Sequence, residues 1–381
     1  MSTTHYLRER LAELRGPATP PRPLDARALA ALAANPGCRR RALLDAAGID
    51  KGAVAQVLGA PAPFGQSQFA FARGHAFEAR VKADKCAELL RLLGAPEDSG
   101  ALLPDLSAAG PEGRTARTRL ALAEATTAGC WTLLDHPLLV LDVAGSTAYL
   151  EPDAVAVAPD GTWTVVEVKS FPILDGGADS VKVGAAARQA AVYVLALERL
   201  APTLQESGSA AEVRVSHDVL LVCPKDFSNL PTAQFVDVRK QLSVTRRQLT
   251  RLTRIEEIAA ELPEGTTFDL RWSADGRTPT RPAPELTAAV ESLPAAYSPE
   301  CLAACELAFH CRDRSRACGS VESLGRSLRG ELGTLTTVEA VLAAALGTDA
   351  AGAEADPAVA ALRRAAALRA EALAAGGTAC H

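Results

Sequence analysis

Aromatic residues are scarce in this chain, at 4% of 381 positions, and a dedicated platform for stacking the bases of a single strand is therefore not expected. Long apolar runs are also missing. Each run is broken by a charge or a proline well short of a membrane span, and the opening "MSTTHYLRERLAELRG" lacks the apolar core of a signal peptide, so a cytoplasmic protein is expected. Positive charge is not in surplus: 40 Lys and Arg face 45 Asp and Glu, a net charge of −5. Global attraction to nucleic acid is thereby excluded, and any such contact must come from local basic patches. There is no Gly-x-x-x-x-Gly-Lys phosphate loop, so a motor activity would have to come from a partner.

What is present is a 48% hydrophobic composition, sufficient for a real core, and nine cysteines, four of them crowded into residues 301–318. No internal repeat is found. The pattern divides the chain into a short helix and proline-rich linker (1–23), a helical part (24–135), a core with a following basic helix (136–262), a linker with the cysteine cluster (263–337) and alanine-rich helices (338–381). Within 24–135 the run "GHAFEARVKADKCAELLRLLG" reads as one long helix. The middle of the chain turns to β-branched runs, "PLLVLDVAG", "AYLEPDAVAVA" and "TWTVVEVKSF", expected as a three-stranded meander. A helix over 183–200, a further strand "EVRVSHDVLLVCP" and a long charged helix beginning at "FVDVRKQ" follow. Strands, then a helix, then a strand suit an α/β mixed sheet with a crossover helix.

One stretch breaks the patterning rule. In "TVVEVKSF" a strand that reads as buried carries Glu167 and Lys169 two residues apart, hence on the same face. Asp153 follows a proline at the start of the preceding strand, and "PDG" between the strands predicts a hairpin that brings Asp153 close to Glu167. Converging carboxylates repel unless a divalent cation neutralises them, and hard oxygen ligands suit Mg²⁺ or Mn²⁺, with the Val168 carbonyl as a further ligand. A cation held there lowers the pKa of a bound water and stabilises charge on a phosphodiester, while the Lys169 ammonium orients that water. Surface ion pairing on an exposed hairpin is the alternative that a lone match of this kind leaves open.

Together these residues resemble the PD-(D/E)xK nuclease superfamily, with Pro152-Asp153 and Glu167-Val168-Lys169 as the two halves of its motif. They look most like its RecB-like branch, because "QAAVY" supplies Gln189 and Tyr193 in the Gln-x-x-x-Tyr pattern and "RGHAFEARV" resembles the branch's Gly-x-x-x-His/Glu helix. The resemblance spans roughly residues 30–330. It implies a restriction-endonuclease-like core, a mixed central β-sheet flanked by helices, with added N- and C-terminal helical segments. It further implies DNA cleavage at single strands or duplex ends, Glu78 as a third metal ligand with His75 as the weaker candidate, and Gln189 and Tyr193 along the DNA path. A role in repair, recombination or defence, beside a helicase or another partner, belongs to the same resemblance; a non-catalytic DNA-binding scaffold that keeps the fold is the alternative.

Soft thiolates at short spacing select Zn²⁺ or an iron–sulfur cluster. Cys301, Cys305 and Cys311 need a fourth ligand, and the sequence offers Cys318, as a local zinc site, or the distant Cys38 in "NPGCRRRALL". The resemblance favours Cys38, since several RecB-like nucleases hold a [4Fe–4S] cluster with one cysteine before the core and three after it. Positive charge gathers at Arg39–Arg41 and at Arg312, Arg314 and Arg316, expected as phosphate contacts, and on the helix around 238–254, which reads equally as a phosphate contact or as a solvated helix face.

Overall fold

The computed structural model describes residues 3–62, 68–97, 99–206, 213–226, 228–250, 252, 254–348 and 356–376. The chain divides into two compact units, Met1–Ile49 with Phe64–Asp269 and Asp50–Pro63 with Leu270–His381. No helix among the described residues is long and apolar enough to cross a membrane.

The first unit holds helices α1 (Thr3–Arg15), α2 (Ala26–Ala34) and α3 (Arg39–Ala46); α4 (Lys51–Val57) belongs to the second unit. The first unit continues with α5 (Gln68–Val81), α6 (Ala83–Leu92) and α7 (Gly110–Thr127). Strands follow: β1 (Thr132–Asp135), β2 (Leu139–Val143), β3 (Ser146–Leu150), β4 (Ala154–Val157) and β5 (Thr162–Val168). After α8 (Ser180–Glu206) come β6 (Arg214–Val215), β7 (Asp218–Pro224), β8 (Pro231–Asp237), α9 (Arg239–Thr250) and α10 (Ile255–Ala260).

The main sheet runs β1-β4-β5-β7-β8, antiparallel throughout except for β5 and β7, which are parallel and joined through α8; short β6 also lies parallel to β5. This is the mixed, helix-flanked α/β sheet expected, but its strands are drawn differently. The meander is divided, because β2 and β3 pair with each other as a separate hairpin. Their two-residue turn, Ala144-Gly145, has positive φ at both positions, the geometry whose twist matches a tight hairpin. The place beside β4 is taken by β1, a strand too short to show a period. The run "PTAQFVD", its last three residues expected to open a helix, forms edge strand β8, and the charged segment after it splits into α9 and α10.

Helices cover both faces. Phe77 and Val81 of α5 and Leu89 and Leu90 of α6 pack on Ala154, Ala156, Val166, Leu220 and Val222. On the opposite face α8 presents Ala186, Ala187, Ala190 and Ala191, all buried, and their small size lets the helix approach the sheet closely. The helix expected across α5 and α6 is kinked: Asp84, Lys85 and Cys86 have φ values of 51°, 55° and 63°, a left-handed turn that ends one axis and starts another.

The second unit contains α4, α11 (Ala283–Glu291), α12 (Ala308–Ala317), α13 (Arg326–Glu331), α14 (Val338–Leu346) and α15 (Pro357–Gly376), with 3-10 turns at Pro299–Ala303 and Val321–Leu324. Thr337 caps α14 by accepting the Ala340 N–H, and Gly347 ends it in a left-handed conformation.

Candidate metal centre

The hairpin expected around "PDG" forms. In the β4–β5 register Ala154 faces Val166, so Asp153 falls opposite Glu167, and the Val168 N–H donates to Asp153 Oδ2 at 2.6 Å. Gly161 closes the turn at φ 79°, a conformation costly for any side chain with a Cβ. On its other edge β5 pairs with β7, where Lys169 N–H donates to the Val222 carbonyl at 2.8 Å. Residues alternate along a strand, so both backbone groups of Val168 turn toward Asp153, the carbonyl included.

Glu167 is 1% exposed and faces the small side chains of α8 together with Val219 and Leu221. Its partner is the Lys169 ammonium, and neither carboxylate oxygen receives a conventional hydrogen bond among the described residues. Burial without donors disfavours the charged form and pushes this carboxyl up to about 7, against the pull of Lys169. Burial also raises Asp153. The Lys169 ammonium is raised in turn, the nearby Glu167 and Asp153 outweighing the burial that opposes its charge.

Glu78, on the α5 face toward the strand ends, meets a residue that the sequence reading did not single out. His136 Nε2 lies 3.0 Å from Glu78 Oε1, and Glu78, His136 and Asp153 each offer a ligand atom within 4.8 Å of the others. His136 directly follows β1, and the antiparallel register that pairs Asp135 with Ala154 places it opposite Asp153, a position that only the strand order fixes. Its φ of 45° is unusual for a residue with a Cβ, and its N–H donates to the Asp153 carbonyl at 3.3 Å. Glu78 is held down to about 2, chiefly by the His136 hydrogen bond and further by Lys82, and His136 is raised by the same bond. His75 is exposed on α5 and does not belong to this group.

Lys82 is a second residue that no spacing in the sequence marks. One α-helical turn after Glu78, its ammonium donates to Glu78 Oε1 at 2.5 Å, Asp135 Oδ1 at 2.5 Å and the Asp153 carbonyl at 2.8 Å, and lies 3.1 Å from His136 Nε2.

Gln189 and Tyr193 share a face of α8 as their spacing requires. The Gln189 amide donates to the Tyr193 hydroxyl at 3.0 Å, and that hydroxyl donates to the Glu151 carbonyl at 3.1 Å. Tyr193 is 4% exposed and kept neutral by burial and by the negative Glu167, so it acts as a fixed donor bracing the lead-in to Asp153. Both side chains also line a cavity of about 650 Å³ with Arg27, Arg114, Tyr149 and Glu151.

The basic patches are less open than expected. Arg40 and Arg41 are buried, Arg41 pairs with Asp45 at 3.0 Å, and Arg39 pairs with Glu261 at 2.6 Å. On α9, Arg239 and Arg246 are engaged by Asp237 and Glu198, while Lys240 and Arg247 are exposed; Arg254, just before α10, pairs with Glu256, and Arg251 lies outside the described residues.

In the second unit, Cys301 sits in a 3-10 turn, Cys305 N–H donates to its carbonyl at 2.8 Å, and Cys311 lies in the first turn of α12. Burial raises the Tyr297 phenol, and Cys301 and Cys311 add to the effect, so these two thiols share its neighbourhood. Cys318 ends α12 and is exposed; Arg312 stacks over Phe309, and Arg314 pairs with Glu291. Cys38, in the first unit, is the buried residue before α3. Comparison of the chain with protein-family models, with curated proteins and with solved structures yields no match in any of the three.

Proposed function

We propose that the first unit is a divalent-metal-dependent nuclease that hydrolyses phosphodiester bonds in DNA, with a restriction-endonuclease-like core of the RecB-like kind. The observation that carries this reading is Glu167, a fully buried carboxylate opposite Asp153 whose ion-pair partner among the described residues is Lys169. A carboxylate costs several kcal/mol to bury and is a poor choice for a core position with no further use. The donor set of Glu78, His136 and Asp153 fits a cation such as Mn²⁺ or Mg²⁺, and one imidazole among carboxylates favours Mn²⁺; Glu167 and Val168 lie on the strand paired with the one that Asp153 precedes and are the proposed further ligands.

When bound, the ion supplies Lewis-acid stabilisation of charge at the phosphodiester. Asp153 is held by the Val168 N–H, and Tyr193 fixes the backbone ahead of it. The Lys169 ammonium, kept charged by its carboxylate neighbours, orients the attacking water and steadies the phosphoryl oxygens. Water adds to phosphorus, one ester P–O bond breaks, and the water's hydroxyl and proton end on the two products.

A non-catalytic DNA-binding module is the second reading, favoured by one observation: the Lys82 ammonium lies among the ligands where a cation would compete with it. The two readings diverge on cleavage of linear and circular DNA with Mn²⁺ or Mg²⁺. The nuclease reading expects cleavage by the wild type and its loss in Lys169→Ala; equal activity in both, or none in the wild type, contradicts it.

Cys301, Cys305 and Cys311 are proposed as thiolate ligands of an iron–sulfur cluster, with zinc as the alternative. Brown, iron-bearing protein after anaerobic purification supports the cluster. Colourless protein with stoichiometric zinc, retained in Cys38→Ser, supports Zn²⁺ completed by Cys318.

A further inference from the structure

Lys82 makes a set of contacts that a packing or surface lysine does not. Its ammonium has four neighbours from three elements: the carboxylates of Glu78 and Asp135, the backbone carbonyl of Asp153 and the His136 imidazole nitrogen, at 2.5 to 3.1 Å. The side chain is 13% exposed. Two of those neighbours, the Glu78 carboxylate and His136 Nε2, are ligand atoms of the candidate metal centre, and a third belongs to the backbone of its remaining ligand, Asp153. A divalent cation at ordinary coordination distance from Glu78 and His136 would lie within van der Waals contact of this ammonium and repel it. Glu167, buried opposite Asp153 and paired with Lys169, adds a further carboxylate at this end of the sheet.

We infer that Lys82 is a resident internal cation that holds the ligand cage together when no metal is bound and must be displaced for a divalent ion to enter. This inference rests on the reading of the cage as a cation site, and goes beyond it in naming the residue that sets its affinity. Lys82 caps the start of α6, two residues before the left-handed kink at Asp84–Cys86, and sits on neither of the strands that lead to Asp153 and His136, so its flexible four-carbon stem is the element of the cage that can leave while those strands stay in place. The ammonium makes the empty cage stable and raises the cation concentration needed to fill it. It thereby favours a cation that gains from the imidazole over one that does not.

The test is Mn²⁺ binding by the full-length wild type, Lys82→Gln and Lys82→Arg, read by titration calorimetry and by thermal unfolding with and without Mn²⁺. Lys82→Gln is expected to bind Mn²⁺ about tenfold more tightly than the wild type. Its melting temperature without metal should be lower, and its rise on adding Mn²⁺ larger. Lys82→Arg, which keeps the charge, should bind no more tightly than the wild type. If Lys82→Gln is unfolded without metal, Mn²⁺ should restore its circular dichroism, and failure to do so overturns the inference. Equal or weaker binding by Lys82→Gln, with the wild type binding, overturns the displacement role while leaving the metal centre standing. No Mn²⁺ uptake by either protein overturns both.

Discussion

Glu167 shows how one side chain carries opposed demands. A carboxyl with an ordinary value of 4.5 is pushed up to about 7 by complete burial, although Lys169 lies against it. Because the folded value is the higher one, its stabilising contribution is complete below about pH 4.5 and is lost as pH rises through 7. Metal-free protein should therefore lose up to about 3 kcal/mol of stability between pH 5 and 8, read from urea unfolding, and Mn²⁺ should restore it at pH 8. Glu167→Gln should abolish that slope; a slope unchanged in the variant would refute the assignment. Tyr193→Phe removes one buried donor to the Glu151 carbonyl and should cost about 1 kcal/mol with a smaller loss of cleavage than Asp153→Asn. An equal loss in the two would make Tyr193 more than a positioning residue.

Among the elements, the β4–β5 hairpin carries the register on which the site depends. Gly161 adopts φ 79°, so Gly161→Val should destabilise by about 1–2 kcal/mol and depress cleavage further, since a register slip would turn Glu167 to the other face. Unchanged thermal stability would contradict the role of the turn. This hairpin was legible because its signals are local: a proline before Asp153, a turn tripeptide, and alternation broken by a charge pair. The Gln189–Tyr193 spacing was legible for the same reason. Strand β1 was not, because four residues show no period, and β8 was not, because "FVDVRKQ" suits a helix start as well as an edge strand. His136 and Lys82 escaped notice for a different reason. His136 reaches the cage through strand order, since β1 rather than β2 lies beside β4, and Lys82 through the kink after α5; neither feature is encoded by residue spacing.

For the molecule as a whole, net acidity is mild and several arginines are paired locally, while Lys240 and Arg247 on α9 are exposed. On the nuclease reading, DNA binding should therefore be weak with a shallow salt dependence, and Lys240→Ala with Arg247→Ala should make the salt slope shallower still. The mixed sheet was readable from the order of strands, helix and strand, whereas its division into two units was not, because α4 belongs with segments more than 200 residues later. The central claim is that Asp153, Glu167 and Lys169 form a metal-dependent hydrolytic site, and cleavage of end-labelled linear DNA tests it most directly. Wild type should cleave with Mn²⁺ and stop on chelation, while Asp153→Asn and Lys169→Ala, folded by circular dichroism, should lose at least a hundredfold. Cleavage that survives either substitution, or that ignores the chelator, would contradict it.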